Sequence, residues 1–253
     1  MRFCSLGSGS RGNAMIIECG DTRLMLDNGF SVKQTEQRLA QHGVDPESID
    51  AILITHEHAD HINGVGAYAR KYQVAVYATH GTLSSSRFGE LPAVTEINCH
   101  SAFHIGDLGI DPFPVPHDAR EPCQFIFHDG DRRLGILTDT GSSTSHIEQQ
   151  LSGCDALVLE CNHDTTLLAE GSYPYSVKLR VGGDFGHLNN EQAGELLQQI
   201  DTSSLQHIVA AHISERHNTP QLAQAVLSDA LYCARHWIAV ADQQEGLAWR
   251  DIN

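Results

Sequence analysis

Ala51-Ile-Leu-Ile-Thr-His-Glu-His-Ala-Asp-His61 passes from a short apolar run into five ionisable residues within six positions. Ile52, Leu53 and Ile54 run without alternation in a segment too short for a stable helix, which predicts a buried strand over Ala51–Thr55. His56 and His58 stand two apart, so on an extended backbone both imidazoles point to the same side. Asp60 and His61 follow where the chain is expected to turn into a helix over Ile62–Lys71. Asp60 alone would read as an N-cap for that helix, a role worth ~1 kcal/mol. A solvated face would mix in Lys, Ser or Gln, and it does not explain three histidines. Imidazole and carboxylate at this spacing are ligands for a borderline divalent cation, zinc first, with manganese or iron as alternatives. Four such side chains exceed what one tetrahedral catalytic ion needs if it also keeps a position open for water, so two ions are implied.

Composition narrows the class. The 253 residues, 41% of them hydrophobic, suffice for a substantial core, and no Pro/Ser-rich linker divides them, so one domain over residues 1–253 is expected. Sixteen basic residues against 32 acidic give a formal charge of −16, which argues against a non-specific binder of nucleic acid or anionic membrane. Cys4, Cys19, Cys99, Cys123, Cys154, Cys161 and Cys233 are odd in number and form no C-x-x-C pair, a pattern of reduced thiols in the cytoplasm. No apolar stretch approaches ~18 residues, and no membrane partner is expected.

Along the chain, Met1–Leu6 and Ala14–Cys19 read as strands joined by Gly7-Ser-Gly-Ser-Arg-Gly-Asn13, a loop without a Walker lysine or a following helix and so a hairpin connection rather than a phosphate cradle. A strand from Arg23 ends at Asp27, before the turn-forming Asn28-Gly29. Val74–Ala78 reads as a strand; residues 83–104 show no usable period, and His80, His100 and His104 there read as ordinary histidines. Pro112, Pro114 and Pro116 mark an edge or bulge before His117. Asp129-Gly130 is a hairpin turn whose second strand delivers Asp139. Strands Ala156–Glu160 and Gln206–Ala211 lead to Glu160 and His212. His56, His58, His117, Asp139, Glu160 and His212 thus all fall at strand ends, the edge at which layered α/β proteins bind ligands.

His56-Glu-His-Ala-Asp-His61 resembles the His-x-His-x-Asp-His signature of the metallo-β-lactamase superfamily, and His117, Asp139 and His212 follow in the order His, bridging Asp, distal His that this superfamily uses. The resemblance implies an α+β fold, the four-layered αβ/βα sandwich of two mixed sheets with helices outside. It implies one metal on His56, His58, His117 and Asp139 and a second on Asp60, His61, Asp139 and His212, with a hydroxide between them as nucleophile. Asp27 matches a supporting, non-ligating aspartate. Asp in place of Cys at the bridging position disfavours lactam opening. Gly186-His-Leu-Asn-Asn190 and Ala211-His-Ile-Ser-Glu-Arg216 resemble elements of the tRNA-3′-processing phosphodiesterases, although no Gly/Pro-rich insertion could serve as their tRNA-gripping arm.

Over nearly the whole length the layout is similar to the bacterial YycJ/WalJ-like group, including Ser8-Gly-Ser-Arg-Gly-Asn13, Glu160-Cys-Asn-His-Asp164 and Asn218-Thr-Pro220. That similarity implies a phosphodiesterase acting on nucleic acid, with 5′-to-3′ exonuclease action on DNA. Arg11, Arg120, Lys178, Arg180 and Arg216 are the only cations near the motifs. A small-molecule hydrolase of the same fold, acting on a cyclic phosphodiester or a thioester, and a non-catalytic metal-binding regulator are the alternatives. Asp60, His187 and Glu160 are the candidate catalytic residues: His187 as general acid at the start of a helix over Asn190–Gln199 capped by Asn189 or Asn190, Glu160 as its carboxylate partner, and His163 as the rival donor.

Overall fold

The computed structural model describes residues 1–253. Its first unit runs β1 (Arg2–Gly7), β2 (Ala14–Cys19), β3 (Thr22–Leu26), α1 (Val32–Gln41), β4 (Ala51–Leu53), α2 (Ala59–Ile62), α3 (Val65–Tyr72), β5 (Ala75–Thr79), α4 (His80–Leu83), β6 (Val94–Ile97) and β7 (Phe103–Ile105). The second runs β8 (Leu108–Pro114), β9 (Cys123–His128), β10 (Arg133–Leu137), α5 (Ser145–Leu151), β11 (Ala156–Glu160), α6 (Thr165–Glu170), α7 (Tyr175–Val181), α8 (Asn190–Gln199), β12 (His207–Ala211), α9 (Pro220–Ala230), β13 (Ile238–Val240) and β14 (Leu247–Asp251).

Two seven-stranded sheets result, ordered β14-β1-β2-β3-β4-β5-β6 and β7-β8-β9-β10-β11-β12-β13. In the first, β14 to β3 pair antiparallel and β3 to β6 parallel; in the second, β7 to β10 pair antiparallel and β10 to β13 parallel. The two units therefore repeat one topology, and each gives its last strand to the other's sheet. Asp27 follows β3 and Asp139 follows β10, the matching strands of the two units.

The core has three sections. Phe3, Ile17, Leu24 and Leu53 of the first sheet meet Ile110, Phe125, Phe127 and Val158 of the second between the sheets. Outside the first sheet, Leu39 of α1 and Val65 and Tyr68 of α3 pack on Ile16, Met25 and Ile52. Outside the second, Ile147 of α5, Leu196 and Leu197 of α8 and Leu227 of α9 cover Ile126, Leu157 and Ile208. Each large apolar side chain so buried contributes roughly 1.5–3 kcal/mol. The arrangement is the expected four-layered α+β sandwich. Helix α8 runs over Asn190–Gln199 as predicted, and Asn189 rather than Asn190 caps it, in a reciprocal bond with Gln192.

Two local expectations need correction. The helix predicted over Ile62–Lys71 is two helices, α2 starting earlier at Ala59, so Asp60 and His61 lie inside a helical turn. The break comes at Gly64, whose N–H bonds to Asn28 O at 2.8 Å and where an added Cβ would stand 1.8 Å from Phe30 O. Residues 83–104, without a usable period in the sequence, contain the edge strand β6, whose Val94, Thr95 and Glu96 are all exposed, so no alternation is imposed on them. Pro112 and Pro114 sit in β8 beyond the reach of β7, which pairs only with Leu108–Ile110. They therefore occupy an open edge, where a missing N–H breaks no ladder.

Candidate metal centre

The first unit supplies one continuous ligand loop and a carboxylate that braces it. Asp27 is buried at φ 56°, a left-handed conformation that Asp tolerates better than most residues. Its Oδ1 accepts the Thr55 N–H at 2.9 Å, and its Oδ2 accepts the Thr55 hydroxyl and His61 Nδ1–H, each at 2.8 Å. Committing Nδ1 to Asp27 leaves His61 Nε2 as an acceptor, 3.1 Å from Asn13 Nδ2, 3.2 Å from Asp139 Oδ2 and 3.6 Å from Asp60 Oδ2. Thr55 Oγ1 lies 3.0 Å from His56 Nδ1 and likewise frees His56 Nε2. The loop is clamped from both sides: the Asn13 N–H donates to Asp60 O at 2.8 Å and the Asn28 N–H to His61 O at 2.7 Å. At Gly29 an added Cβ would stand 1.9 Å from Asp60 O, so only glycine allows this approach.

The second unit brings its groups from separate strand ends. His117, beyond β8, donates Nδ1–H to Gly186 O at 3.0 Å and points Nε2 to within 3.2 Å of His58 Nδ1. Asp139 and His212 follow β10 and β12, both buried and both left-handed, at φ 54° and 52°. His212 Nε2 is 3.5 Å from Asp60 Oδ2 and from Asp139 Oδ1. Glu160, fully buried at the end of β11, accepts the Thr140 and Leu188 N–H groups on Oε2, each at 3.1 Å. Its Oε1 accepts His187 Nδ1–H at 2.8 Å and stands 3.4 Å from His212 Nδ1.

Ligand-type atoms lie within 4.8 Å of one another in His56, His58 and His117, in His56, His61 and Asp139, and in Asp60, His61 and His212. Glu160 and His187 form a further such group with Asp139 and His212, but the Glu160 oxygens are already filled by N–H donors. His56 Nε2, Asp139 Oδ2 and His212 Nε2 are buried without any hydrogen-bond partner. Each unsatisfied atom costs about 1–3 kcal/mol. The 3.2 Å contact of His61 Nε2 with Asp139 Oδ2 sets two acceptors against each other, because the His61 proton is on the Asp27 side. Unpartnered imidazole nitrogens and carboxylate oxygens converging in a dry site are what a divalent cation satisfies, and the donor set fits such ions.

The charges agree. Burial pushes His212 down, but the Asp139, Asp60 and Glu160 carboxylates together outweigh it and raise the imidazole to about 10. Burial pushes Glu160 up, but His187 facing it keeps the carboxyl at about 2. Burial likewise lowers His187, and Glu160 more than restores it, so its pKa is raised. At His56 and His117, by contrast, burial wins over the nearby carboxylates and lowers the imidazole.

Every predicted ligand, His56, His58, Asp60, His61, His117, Asp139 and His212, reaches this one centre, with Glu160 and His187 beside it. Its mouth is a cleft of about 260 Å³ lined by Ser10, His58, Asp60, Asp139, Arg180 and His187 among others. His187 pairs with Glu160 and not with Asp184, whose carbonyl accepts from Ser142. His163 is buried, is held near 4 chiefly by burial, and does not line the cleft. Arg11 pairs with Glu215 and Arg120 with Ser84, which leaves Arg180 as the cation at the cleft. Sequence reasoning missed the braces Thr55, Asn13 and Asn162, the last donating to His212 O at 3.0 Å. Only their adjacency to ligand segments could have marked them.

A family model described as a beta-lactamase superfamily domain matches residues 22–213. The exodeoxyribonuclease YycJ of Bacillus anthracis is 36% identical over 91% of this chain and 89% of its own length. The exodeoxyribonuclease WalJ of Streptococcus pneumoniae is 34% identical over 91% and 88%. The crystal structure of zinc-bound PqqB from Methylobacterium extorquens superposes with a TM-score of 0.73 at 20% identity, covering 99% of this chain and 100% of that one, a likeness of fold. No helix is long and apolar enough to cross a membrane. With the fold, the ligand constellation and these relatives in agreement, the chain belongs to the metallo-β-lactamase superfamily of metal-dependent hydrolases, in the group of the YycJ/WalJ-like proteins.

Proposed function

We propose that this protein is a nuclease that hydrolyses phosphodiester bonds of nucleic acid, as a 5′-to-3′ exonuclease on DNA, at a centre for two divalent ions within one domain over residues 1–253. The observation that carries the reading is the set of buried, unpartnered atoms on His56, Asp139 and His212, in a chain whose relatives of near-equal length are named exodeoxyribonucleases. His56, His58, His117 and Asp139 would hold one ion, and Asp60, His61, Asp139 and His212 the other. Nitrogen and carboxylate donors favour zinc, with manganese or iron as alternatives. Two such ions would supply an activated water at neutral pH and charge to offset a phosphoryl oxygen. With that charge beside Asp60 and Asp139, a chain at −16 could still take an anionic substrate. Seven unpaired cysteines support a cytoplasmic location.

The chain's own residues do the rest. Asp60, with a side chain 23% exposed, faces the cleft from the ligand loop. His187 also lines the cleft, and its Nδ1 is tied to Glu160, so Nε2 is the atom that can pass a proton to the leaving oxygen. Glu160 is a positioning residue that holds this proton donor.

The test is a panel of end-labelled single- and double-stranded DNA, RNA, bis-p-nitrophenyl phosphate, a thioester and a β-lactam. DNA should be cut from its 5′ end. Efficient hydrolysis of the thioester or lactam with all phosphodiesters left intact would overturn the reading. His187→Ala should retain its metals and lose ~10²–10⁴-fold in turnover on DNA, and far less on bis-p-nitrophenyl phosphate, whose leaving group needs no proton. Equal losses on both would remove His187 from the acid role.

A further inference from the structure

The loop from Gly7 to Asn13, between β1 and β2, is tied at two points to the position proposed for the second ion. Ser8 Oγ accepts the His212 N–H at 2.9 Å, and the Asn13 N–H donates to Asp60 O at 2.8 Å. The other N–H groups of the loop are committed inside the protein, with one exception. Gly7 donates to Ser5 Oγ, Ser8 to Asp242 O, Gly9 to Asn13 Oδ1, Arg11 to Gln243 Oε1 and Gly12 to Gly9 O. The exception is Ser10, an exposed residue whose N–H and hydroxyl both lack a hydrogen-bond partner in the protein. Ser10 is also the one residue of this loop that lines the cleft, together with Asp60, Asp139, His187 and His212.

The rest of the loop holds Ser10 in place. Gln243 grips the residues after it, accepting the Arg11 N–H and donating Nε2–H to Gly12 O, each at 2.8 Å. Gly9 and Gly12 lie at φ 144° and 151°, and an added Cβ would stand 2.7 Å from Gln243 Oε1 at the first and 2.6 Å from the Phe30 ring at the second. Both glycines therefore permit close packing that a side chain would break. Arg11 pairs its guanidinium with Glu215, so the loop offers the cleft neutral donors and no cation. With a single N–H free, it is a hairpin connection and not a phosphate cradle, as its sequence predicts. A fixed hydroxyl and amide without protein acceptors, beside a centre for phosphoryl chemistry, suit an anionic oxygen, because such donors need no reorganisation when the charge arrives.

We propose that Ser10 is a substrate-binding residue, donating its hydroxyl and backbone N–H to a non-bridging oxygen of the phosphate that enters the cleft, on the side of Asp60 and His212. The proposal rests on the nuclease reading above. Hydrogen bonds to a charged oxygen are stronger than those to a neutral carbonyl, so Ser10 favours a phosphodiester over a thioester. The contact is to the backbone and not to a base, so it carries no sequence preference.

The test measures kcat, KM and metal content for wild type, Ser10→Ala and Ser10→Thr on a duplex oligonucleotide. Ser10→Ala should lose about ten- to a hundredfold in kcat/KM with its metal content unchanged, whereas Ser10→Thr, which keeps the hydroxyl, should retain most of the activity. The same proteins are then given the duplex with a phosphorothioate of either configuration at the linkage to be cut. Sulfur accepts hydrogen bonds poorly, so with one diastereomer the wild type has already lost this contact and Ser10→Ala should cost nothing further, while with the other the full loss remains. Losses that add on both diastereomers, an equal loss in Ser10→Thr, or a fall in metal content in Ser10→Ala would show that Ser10 supports the loop without meeting a phosphate, and would overturn the proposal. An unchanged kcat/KM in Ser10→Ala, with wild type still cutting DNA, would overturn it and leave the nuclease reading standing. Failure of the wild type to cut any oligonucleotide would overturn both.

Discussion

The two units of the molecule share one strand order yet build opposite halves of the metal centre in different ways. Asp27 and Asp139 follow matching strands, β3 and β10, and both begin an Asp-x-Gly turn in the left-handed conformation. Asp27 turns its oxygens to Thr55 and His61 and is spent as a brace. Asp139 keeps Oδ2 bare and faces His61. In the second unit Glu160 takes the bracing role, gathering Thr140, Leu188 and His187 from two other loops. One repeated topology thus places a buried carboxylate under each half of the site, and the partners its neighbours offer decide whether that carboxylate supports or ligates.

The asymmetry can be broken most severely at Asp139, the acid shared by both proposed ion positions. Asp139→Ala should lose both ions by elemental analysis and fall by more than ~10²-fold in turnover, beyond the loss typical for a supporting residue. Full activity in that variant would remove Asp139 from the centre. Next come the two braces, compared side by side. Glu160→Gln sets an amide N–H against one of three inward N–H donors and should cost ~10–100-fold in turnover by disturbing His187 and the Asp139 turn together. Asp27→Asn should weaken the ion at His61, whose ring Asp27 holds directly, by about tenfold, and the ion at His56, which Asp27 reaches only through Thr55, by less. Equal weakening of both ions in Asp27→Asn would mean that Asp27 braces the loop as a whole and not the His61 ring in particular.

The same asymmetry explains what the sequence disclosed. Four proposed ligands of the first unit lie within six residues, because a strand end and the first turn of α2 present them together, and that density is legible without any structure. His117, Asp139 and His212 each stand alone at a strand end, and only their order relative to the first motif singled them out. Strands with apolar runs, such as β2 and β11, matched their predicted bounds, since burial on both faces leaves a continuous signal. Strand β6, exposed along three of its four residues, left none. The repeat of the two units was illegible for a related reason: topology and left-handed turns recur, while the side chains on them diverged with their roles. Thr55 and Asn162 escaped notice because a polar residue beside a ligand looks like any other loop residue until its partner is known.

The shared centre is tested most directly by anomalous diffraction from crystals of the metal-loaded protein, recorded on both sides of the metal's absorption edge. Two peaks should appear ~3.5–4 Å apart, one among His56, His58 and His117, the other among Asp60, His61 and His212, with an Asp139 oxygen reaching each. A single peak at full occupancy in metal-saturated crystals, or two peaks neither of which touches Asp139, would contradict a centre built jointly by the two units.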